Sequence, residues 1–345
     1  MRSSDPSARA RTRRRGSGGL TLTDVARLAG VSPITVSRAL NNPEQLTAET
    51  LARVQAAIAR TGYVPNRVAG GLASNRSRLV AALVPHIGSA VFLETVQALT
   101  EEFDQAGYQV MLGQSGYGIE REDALLDALI GRRPDGIIIT GIMHSPEARR
   151  RLAASGIPIV ETWDLTPTPI DMLVGFSHEK VGAAVADYLH FRGSRHPGII
   201  TANDPRAGLR RKAFTDAAAR HGIAHVPADE IPTPTTLGGG RSALARLLDT
   251  HPETDAVFCS SDVLAHGALT EANARRIDVP GRLRVMGFGD NNFAADTHPA
   301  LSTVRIDGTA IGRQAARFII ARAEGRTLPD RILDVGFKLV GRASA

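Results

Sequence analysis

Three groups of side chains in this sequence have the types and spacing to bind something. The chain's only tryptophan, Trp163, stands between two acids in the run Glu161-Thr162-Trp163-Asp164. An indole face stacks on C–H groups and carboxylates accept hydrogen bonds from hydroxyls, so the run fits a polyol; the competing reading is a packing tryptophan beside two solvated acids. Arg206 and Arg210 fall at the start of a helix, where free backbone N–H groups and forked guanidinium groups together suit an anion. Arg211 and Lys212 beside them read as a solvated basic face. Near the front, Pro33, Ile34, Thr35, Ser37 and Arg38 point outward or sit at the N-terminal end of a short helix. That end suits contact with the edges of bases, and an arginine there either forks onto a guanine or clamps a phosphate.

The elements that must hold these groups can be read from caps and periodicity. Thr21 caps a first helix whose Leu22, Val25, Ala26 and Ala29 recur at helical spacing, with Asp24 in the first turn and Gly30 ending it. Ser32 caps a second helix that starts at Pro33 and runs to about Leu40, turning Val36 and Leu40 inward. Thr47 caps a third, Ala48 to about Thr61, whose Leu51, Val54 and Ile58 close a small core. Two helices joined by so tight a turn carry the helix-turn-helix signature. A fourth segment follows in Tyr63-Val64-Pro65-Asn66-Arg67-Val68-Ala69-Gly70-Gly71-Leu72-Ala73, with Asn66 as cap. It makes barely two turns, and Gly70 and Gly71 each cost about 1 kcal/mol relative to alanine, so it forms only when braced.

From Leu79 onward short apolar strands alternate with amphipathic helices. Strands are expected at Val80 to Val84, Tyr108 to Leu112, Gly136 to Thr140, Ile157 to Val160 and Met172 to Gly175. A second series has them at Gly198 to Thr201, Ala256 to Cys259 and Arg284 to Gly287. Helices are expected near Val91 to Gln105, Glu120 to Gly131, Pro146 to Ala154, Gly208 to Arg220, Gly240 to Asp249 and Val263 to Ala274. Such alternation means parallel sheets covered on both faces, and two series mean two Rossmann-like lobes. Ligands of such folds sit beyond the carboxyl ends of the strands.

Charge separates the same two regions. Residues 1–78 carry 13 basic and 4 acidic side chains, the remainder 28 and 31, so the net positive charge lies wholly at the front. That is the distribution of a nucleic-acid-binding head on a near-neutral body. Residues 1–19 are rich in Arg, Ser and Gly, have no apolar run, and are expected to be a disordered basic tail. Nothing there resembles a signal peptide, and no stretch is long enough to span a membrane. With Cys259 the only cysteine, no intramolecular disulfide can form, and a cytoplasmic location is expected. No P-loop, Gly-x-Ser-x-Gly, His-Glu-x-x-His or cysteine pair is present, and the glycines at 238 to 240 lack the spacing of a dinucleotide loop. An enzyme, a cofactor and a bound metal are therefore not expected.

The helix-turn-helix followed by Tyr-x-Pro-Asn-x-x-Ala-x-x-Leu-Ala resembles the lactose/galactose repressor family of bacterial transcription regulators, and the resemblance extends to the last strand. It implies an α/β chain: an all-α helix-turn-helix head and hinge helix, then a two-lobed effector domain of the periplasmic-binding-protein type. The boundaries are then a head at 20–65, a hinge and linker at 66–78, and an effector and dimerisation domain at 79–345. Its first lobe is expected at about 79–176 and 305–330, its second at 177–304 and 331–345.

The resemblance also assigns roles. Thr21, Ser32, Pro33, Ile34, Thr35, Ser37 and Arg38 belong to the DNA-reading head, and Asn66, Arg67, Ala69, Leu72 and Ala73 to the hinge. Leu72 matches the family's wedge, which enters the minor groove between base pairs; an apolar wedge unstacks and kinks the duplex. For the effector it implies Phe92, as an aromatic against the sugar or a core residue, and Arg210, with Glu161, Trp163, Asp164 and Arg206 joined to it from the residue types. Asp290 is included although Gly289 intervenes where the family commonly has the aspartate directly. Runs such as Gly156 to Asp164, Val174-Gly175-Phe176 and Arg192 to His196 are most similar to gluconate-operon repressors. The function implied is repression of sugar or sugar-acid catabolic genes by a homodimer on double-stranded operator DNA, released by gluconate or a related effector. The alternatives are a phosphorylated sugar, a protein co-regulator, or a carbohydrate-binding protein whose main role is not operator binding.

Overall fold

The computed structural model describes residues 20–64, 77–116 and 118–345. It divides after residue 75 into two compact units.

In the first unit, α1 (Leu22–Ala29), α2 (Pro33–Asn41) and α3 (Ala48–Thr61) enclose Val25, Ala26, Ala29, Val36, Val54 and Ala57. Each fully buried valine stabilises so small a core by roughly 1.5–3 kcal/mol. Leu40 and Ile58 pack against it, whereas Leu51 stays half-buried outside it and Ala57 takes its place. α1 begins with a reciprocal capping box between Thr21 and Asp24 and ends at Gly30, whose φ of 63° is the left-handed conformation a tight turn requires.

The second unit is built on two parallel sheets. The first has the strand order β11-β5-β4-β3-β1-β2, with β1 at Leu79–Val84, β2 at Gln109–Gln114, β3 at Gly136–Thr140, β4 at Ile159–Thr162, β5 at Met172–Gly175 and β11 at Ile332–Asp334. The second has the order β7-β6-β8-β9, with β6 at Pro197–Ala202, β7 at Ala228–Ile231, β8 at Ala256–Cys259 and β9 at Arg284–Met286. β10 (Thr303–Arg305) and β12 (Lys338–Val340) form a short antiparallel ribbon. Around them lie α4 (Leu93–Gln105), α5 (Ile119–Ile130), α6 (Pro146–Ala154), α7 (His178–Phe191), α8 (Pro205–Arg220), α9 (Leu237–Thr250), α10 (Asp262–Ala274) and α11 (Gly308–Ala323). Among the described residues no helix is long and apolar enough to cross a membrane.

Two features differ from expectation. The sequence reading places the third passage between lobes near Asp330, but β11 pairs with β5 through Ile332↔Leu173 and Leu333↔Val174. Residues 332–334 thus belong to the first lobe, and the chain passes over between Asp334 and Lys338. An exposed three-residue edge strand carries too little apolar pattern to be seen. The reading also assigns no helix to 178–191 or 308–323. Both helices are central: α7 packs on α8, and α11 on α4. Gly182 allows the first contact, since a Cβ there would collide with the Arg210 carbonyl.

Candidate DNA-reading surface and ligand cleft

The N-terminal end of α2 is fixed by local bonds. Ser32 Oγ accepts the Thr35 N–H at 3.1 Å, and the two hydroxyls lie 2.9 Å apart. Pro33 supplies the first helical residue. Ser37 is held through Asn41, whose Nδ2 donates to the Ser37 carbonyl at 3.0 Å and lies 3.4 Å from Ser37 Oγ. Thr21 spends its N–H and hydroxyl on Asp24 Oδ2, at 3.0 and 2.6 Å, which lowers the Asp24 carboxyl below its ordinary range. Three side chains are left to meet a partner. Ile34 is 66 % exposed, Pro33 stands beside it, and Arg38 is exposed with no hydrogen bond or ion pair among the described residues.

Sequence reading misses the residue that braces the turn. Arg53, on α3, donates from Nη2 to the carbonyls of Ala29 (2.7 Å) and Gly30 (3.1 Å), filling acceptors at the end of α1. A contact spanning 24 residues leaves no local signal. The hinge residues Asn66, Arg67, Ala69, Leu72 and Ala73 lie outside the described residues.

In the second unit, a cavity of about 180 Å³ opens between the lobes at the carboxyl ends of the strands, and Phe92, Trp163, Arg206 and Arg210 line it. Beyond β4 the backbone turns through Trp163 in the left-handed region (φ 63°). Trp163 donates from Nε1 to Thr95 Oγ1 at 3.1 Å and meets Phe92 edge to face at 5.1 Å. At 3 % exposure it packs the lobe and walls the cavity at once, as does Phe92. Both aromatics thus take the packing role and also border the cavity.

α8 brings the arginines in. Asp204 caps it, accepting the N–H groups of Arg206 and Ala207 at 3.0 Å. One turn on, the Arg210 guanidinium lies 4.1 Å over the Phe288 ring, donates from Nη2 to the Ser260 carbonyl at 3.2 Å, and meets His178 Nδ1 at 2.9 Å. His178 donates in turn from Nε2 to the Trp163 carbonyl at 3.0 Å. Burial and the neighbouring cation hold His178 well below the ordinary histidine range, so it is neutral and accepts from Arg210. Arg210 is 5 % exposed, its Nε has no partner, and among the described residues no carboxylate forms an ion pair with it. Burial pushes it down to about 10, which leaves it charged at neutral pH. The Asp204 and Asp164 carboxylates act on it from a distance, but a buried guanidinium with no direct salt bridge is costly, and an anionic ligand would offset that cost.

Arg206 forms a further wall, with its guanidinium 5.7 Å from the Phe92 ring centre. Asp164 is 2 % exposed; burial raises its carboxyl to about 6, against the lowering effects of the Leu165 N–H and of Arg206. It borders a smaller hollow beside the main cavity rather than the cavity itself.

Two expected effector residues lie outside the cleft. Glu161 is buried on the sheet face it shares with Ile159; Oε2 accepts the Ile170 N–H at 2.6 Å and Oε1 faces Arg149 at 3.4 Å. Strand alternation decides this, turning Glu161 toward the core under α5 and α6, away from the ligand side. Asp290 is likewise turned aside, since Gly289 (φ 129°) and Asp290 (φ 50°) take unusual backbone conformations. Its carboxylate binds Arg342 at 2.7 Å and Arg305 at 3.3 Å. Asn291 lines the cavity instead, its backbone N–H held by Asp262 Oδ2 at 2.7 Å. His178, Ser89, Thr235 and Asn291 are wall residues that the sequence reading does not single out. Among the described residues no three His, Cys, Asp or Glu side chains are placed to hold a metal ion.

Comparison with known proteins agrees with both regions. Residues 21–66 match the family of bacterial regulatory proteins, lacI family, and residues 186–345 match a periplasmic binding protein-like domain. The HTH-type transcriptional regulator GntR of Pseudomonas aeruginosa is 38 % identical over 96 % of this chain and 97 % of its own length. The regulator of the same name from Escherichia coli K12 is 31 % identical over 92 % and 96 %. The crystal structure of a LacI-family transcriptional regulator from Silicibacter pomeroyi superposes with a TM-score of 0.89 at 33 % identity, covering 94 % of this chain and 99 % of that one. With a capped recognition helix at one end, a two-lobed cleft at the other and relatives matched along nearly their whole length, the chain belongs to the LacI family of DNA-binding transcriptional regulators.

Proposed function

We propose that the chain is a repressor of sugar-acid catabolic genes, acting as a homodimer on a near-palindromic operator and released when a small polyhydroxy acid such as gluconate binds between its lobes. The observation that carries this reading is Arg210, a buried cation in the wall of the cleft with no direct salt bridge among the described residues, with Arg206 beside it and Asp204 the acid nearest to both. A ligand carboxylate supplies the direct partner Arg210 lacks, and the ring faces of Phe92 and Phe288 suit the C–H groups of a sugar chain. Pro33, Ile34 and Arg38 meet the major groove, while Leu72 takes the wedge position in the minor groove. Closure of the lobes changes the spacing of the paired hinges, and a coupling of about 1–3 kcal/mol suffices to change occupancy several-fold or more.

Fluorescence anisotropy on DNA from the gene's own promoter tests this. Addition of gluconate is expected to release the complex, while neutral sugars and phosphorylated sugar acids leave it intact at the same concentration. Tight DNA binding that no small molecule disturbs would overturn the effector assignment and favour a protein co-regulator.

A further inference from the structure

Beside the main cavity lies a hollow of about 70 Å³, and Arg206 is the residue lining both. Its other walls include Asp164, Gly141, His144 and Glu122. The last two form a matched set with Glu161: His144 Nδ1 meets Glu122 at 2.6 Å, and Nε2 faces Glu161 at 3.5 Å. Held between two carboxylates, His144 stays protonated despite its burial. Those charges are answered within the protein.

One atom each of Asp164 and Arg206 is not, although Arg206 Nε has the Asp204 carboxylate 4.0 Å away. Asp164 uses Oδ1 to accept the Leu165 N–H at 2.9 Å, but its Oδ2 is buried with no partner. Arg206 Nη1 is buried and unpartnered too. It lies against the wall of the hollow, 3.6 Å from where a Cβ on Gly141 would stand. A buried acceptor and a buried donor of opposite charge thus border one small space, and among the described residues no ion pair joins them. Unmatched groups of this kind cost free energy that a direct salt bridge or a bridging group would recover. The bridge must accept from a guanidinium and donate to a carboxylate in the same small volume. A hydroxyl does both. A methyl group does neither, and a carboxylate or phosphate meets Asp164 with like charge.

We propose that the ligand cavity is bipartite, and that this hollow is a hydroxyl subsite in which Asp164 and Arg206 select the far hydroxyl end of a polyhydroxy acid whose carboxylate is held by Arg210. The inference rests on the sugar-acid reading of the main cavity and adds what decides among sugar acids. Arg206 is then a hinge of specificity, one face toward the anion and the other toward the hydroxyl. Acids that carry the charge but lack the terminal hydroxyl would bind weakly.

Isothermal titration of the full chain with gluconate and with its 6-deoxy analogue tests this without any substitution. The wild type is expected to prefer gluconate by at least about 30-fold, since a site built around a hydroxyl rejects the analogue lacking it. In Asp164→Ala, shown to be folded by circular dichroism and its melting curve, the preference is expected to fall below about 3-fold, with Asp164→Asn in between. Equal binding of both acids by the wild type, or an undiminished preference in the variants, overturns the subsite and leaves the sugar-acid reading standing. Failure of the wild type to bind either acid overturns that reading, and the subsite with it.

Discussion

The reading end of α2 and the cleft between the lobes solve opposite problems. In the head, Ile34 and Arg38 are exposed and unengaged, and everything that positions them is local: a cap from Ser32, a proline start, a turn at Gly30. In the cleft the working groups are buried, and neighbours far along the chain position them: Arg210 by His178 and Ser260, Trp163 by Thr95. The difference follows from the partner. Duplex DNA brings its own charge and water, so the protein presents free side chains and loses little by leaving them solvated. A small ligand supplies few contacts, and each must be made strong by exclusion of water. The head therefore presents solvated side chains, and the cleft presents buried polar groups whose bonding is incomplete.

The largest effect is expected where that contrast is sharpest. Arg210→Ala should weaken effector binding by about 100-fold or more, because truncating one side of a buried charge pair costs roughly 2–5 kcal/mol. Operator affinity in anisotropy should remain within about 2-fold, well under the 1.4 kcal/mol of a tenfold change. Loss of DNA binding in this variant would mean that the cleft braces the head directly. Arg38→Ala should show the inverse: specific operator binding falls by about 1–3 kcal/mol while effector affinity is unmoved. If nonspecific DNA loses as much, Arg38 is a phosphate clamp rather than a base reader.

Asp164 gives a pH-dependent effect of about 1–3 kcal/mol, from a shift of roughly two units at 1.4 kcal/mol each. Its folded carboxyl titrates near 6, above the ordinary value of 3.8. A group raised in this way favours the fold while protonated in it, and that contribution is lost as pH rises through about 6. Asp164→Asn should therefore gain stability over the wild type between pH 4 and 7, in denaturant melts at each pH, with little change below about pH 4. A flat difference would show that Asp164 ionises as freely as a solvated acid. Arg53→Ala should have the smallest effect, about 1 kcal/mol off the stability of the head, since its two hydrogen bonds are partly exposed. Hydrogen exchange at the amides of α1 and α2 would register it, and unchanged protection would remove Arg53 from the turn.

How far the sequence speaks differs between the two regions for the same reason. The head's helices are set by signals within a few residues, and Thr21, Ser32, Thr47, Pro33 and Gly30 all stand where their caps and turns require. For the cleft, the residue types are visible in advance but their directions are not. Glu161 and Asp164 read alike in the sequence, yet strand alternation turns the first under α5 and α6, and the left-handed turn at Trp163 delivers the second to the hollow. Asp290 reads as a cleft carboxylate, yet it faces Arg342 and Arg305.

The sequence by itself determined the three-helix head, the alternation of strands and helices, and the arginines of α8, because caps, periodicity and parallel-strand hydrophobicity act over a few residues. Only the tertiary structure decided that Asp164 and not Glu161 borders the hollow, that β11 closes the first sheet, and that His178 sits between Arg210 and Trp163. Each of these depends on contacts between segments far apart in the chain, and burial of a charge is settled only when all its neighbours are in place.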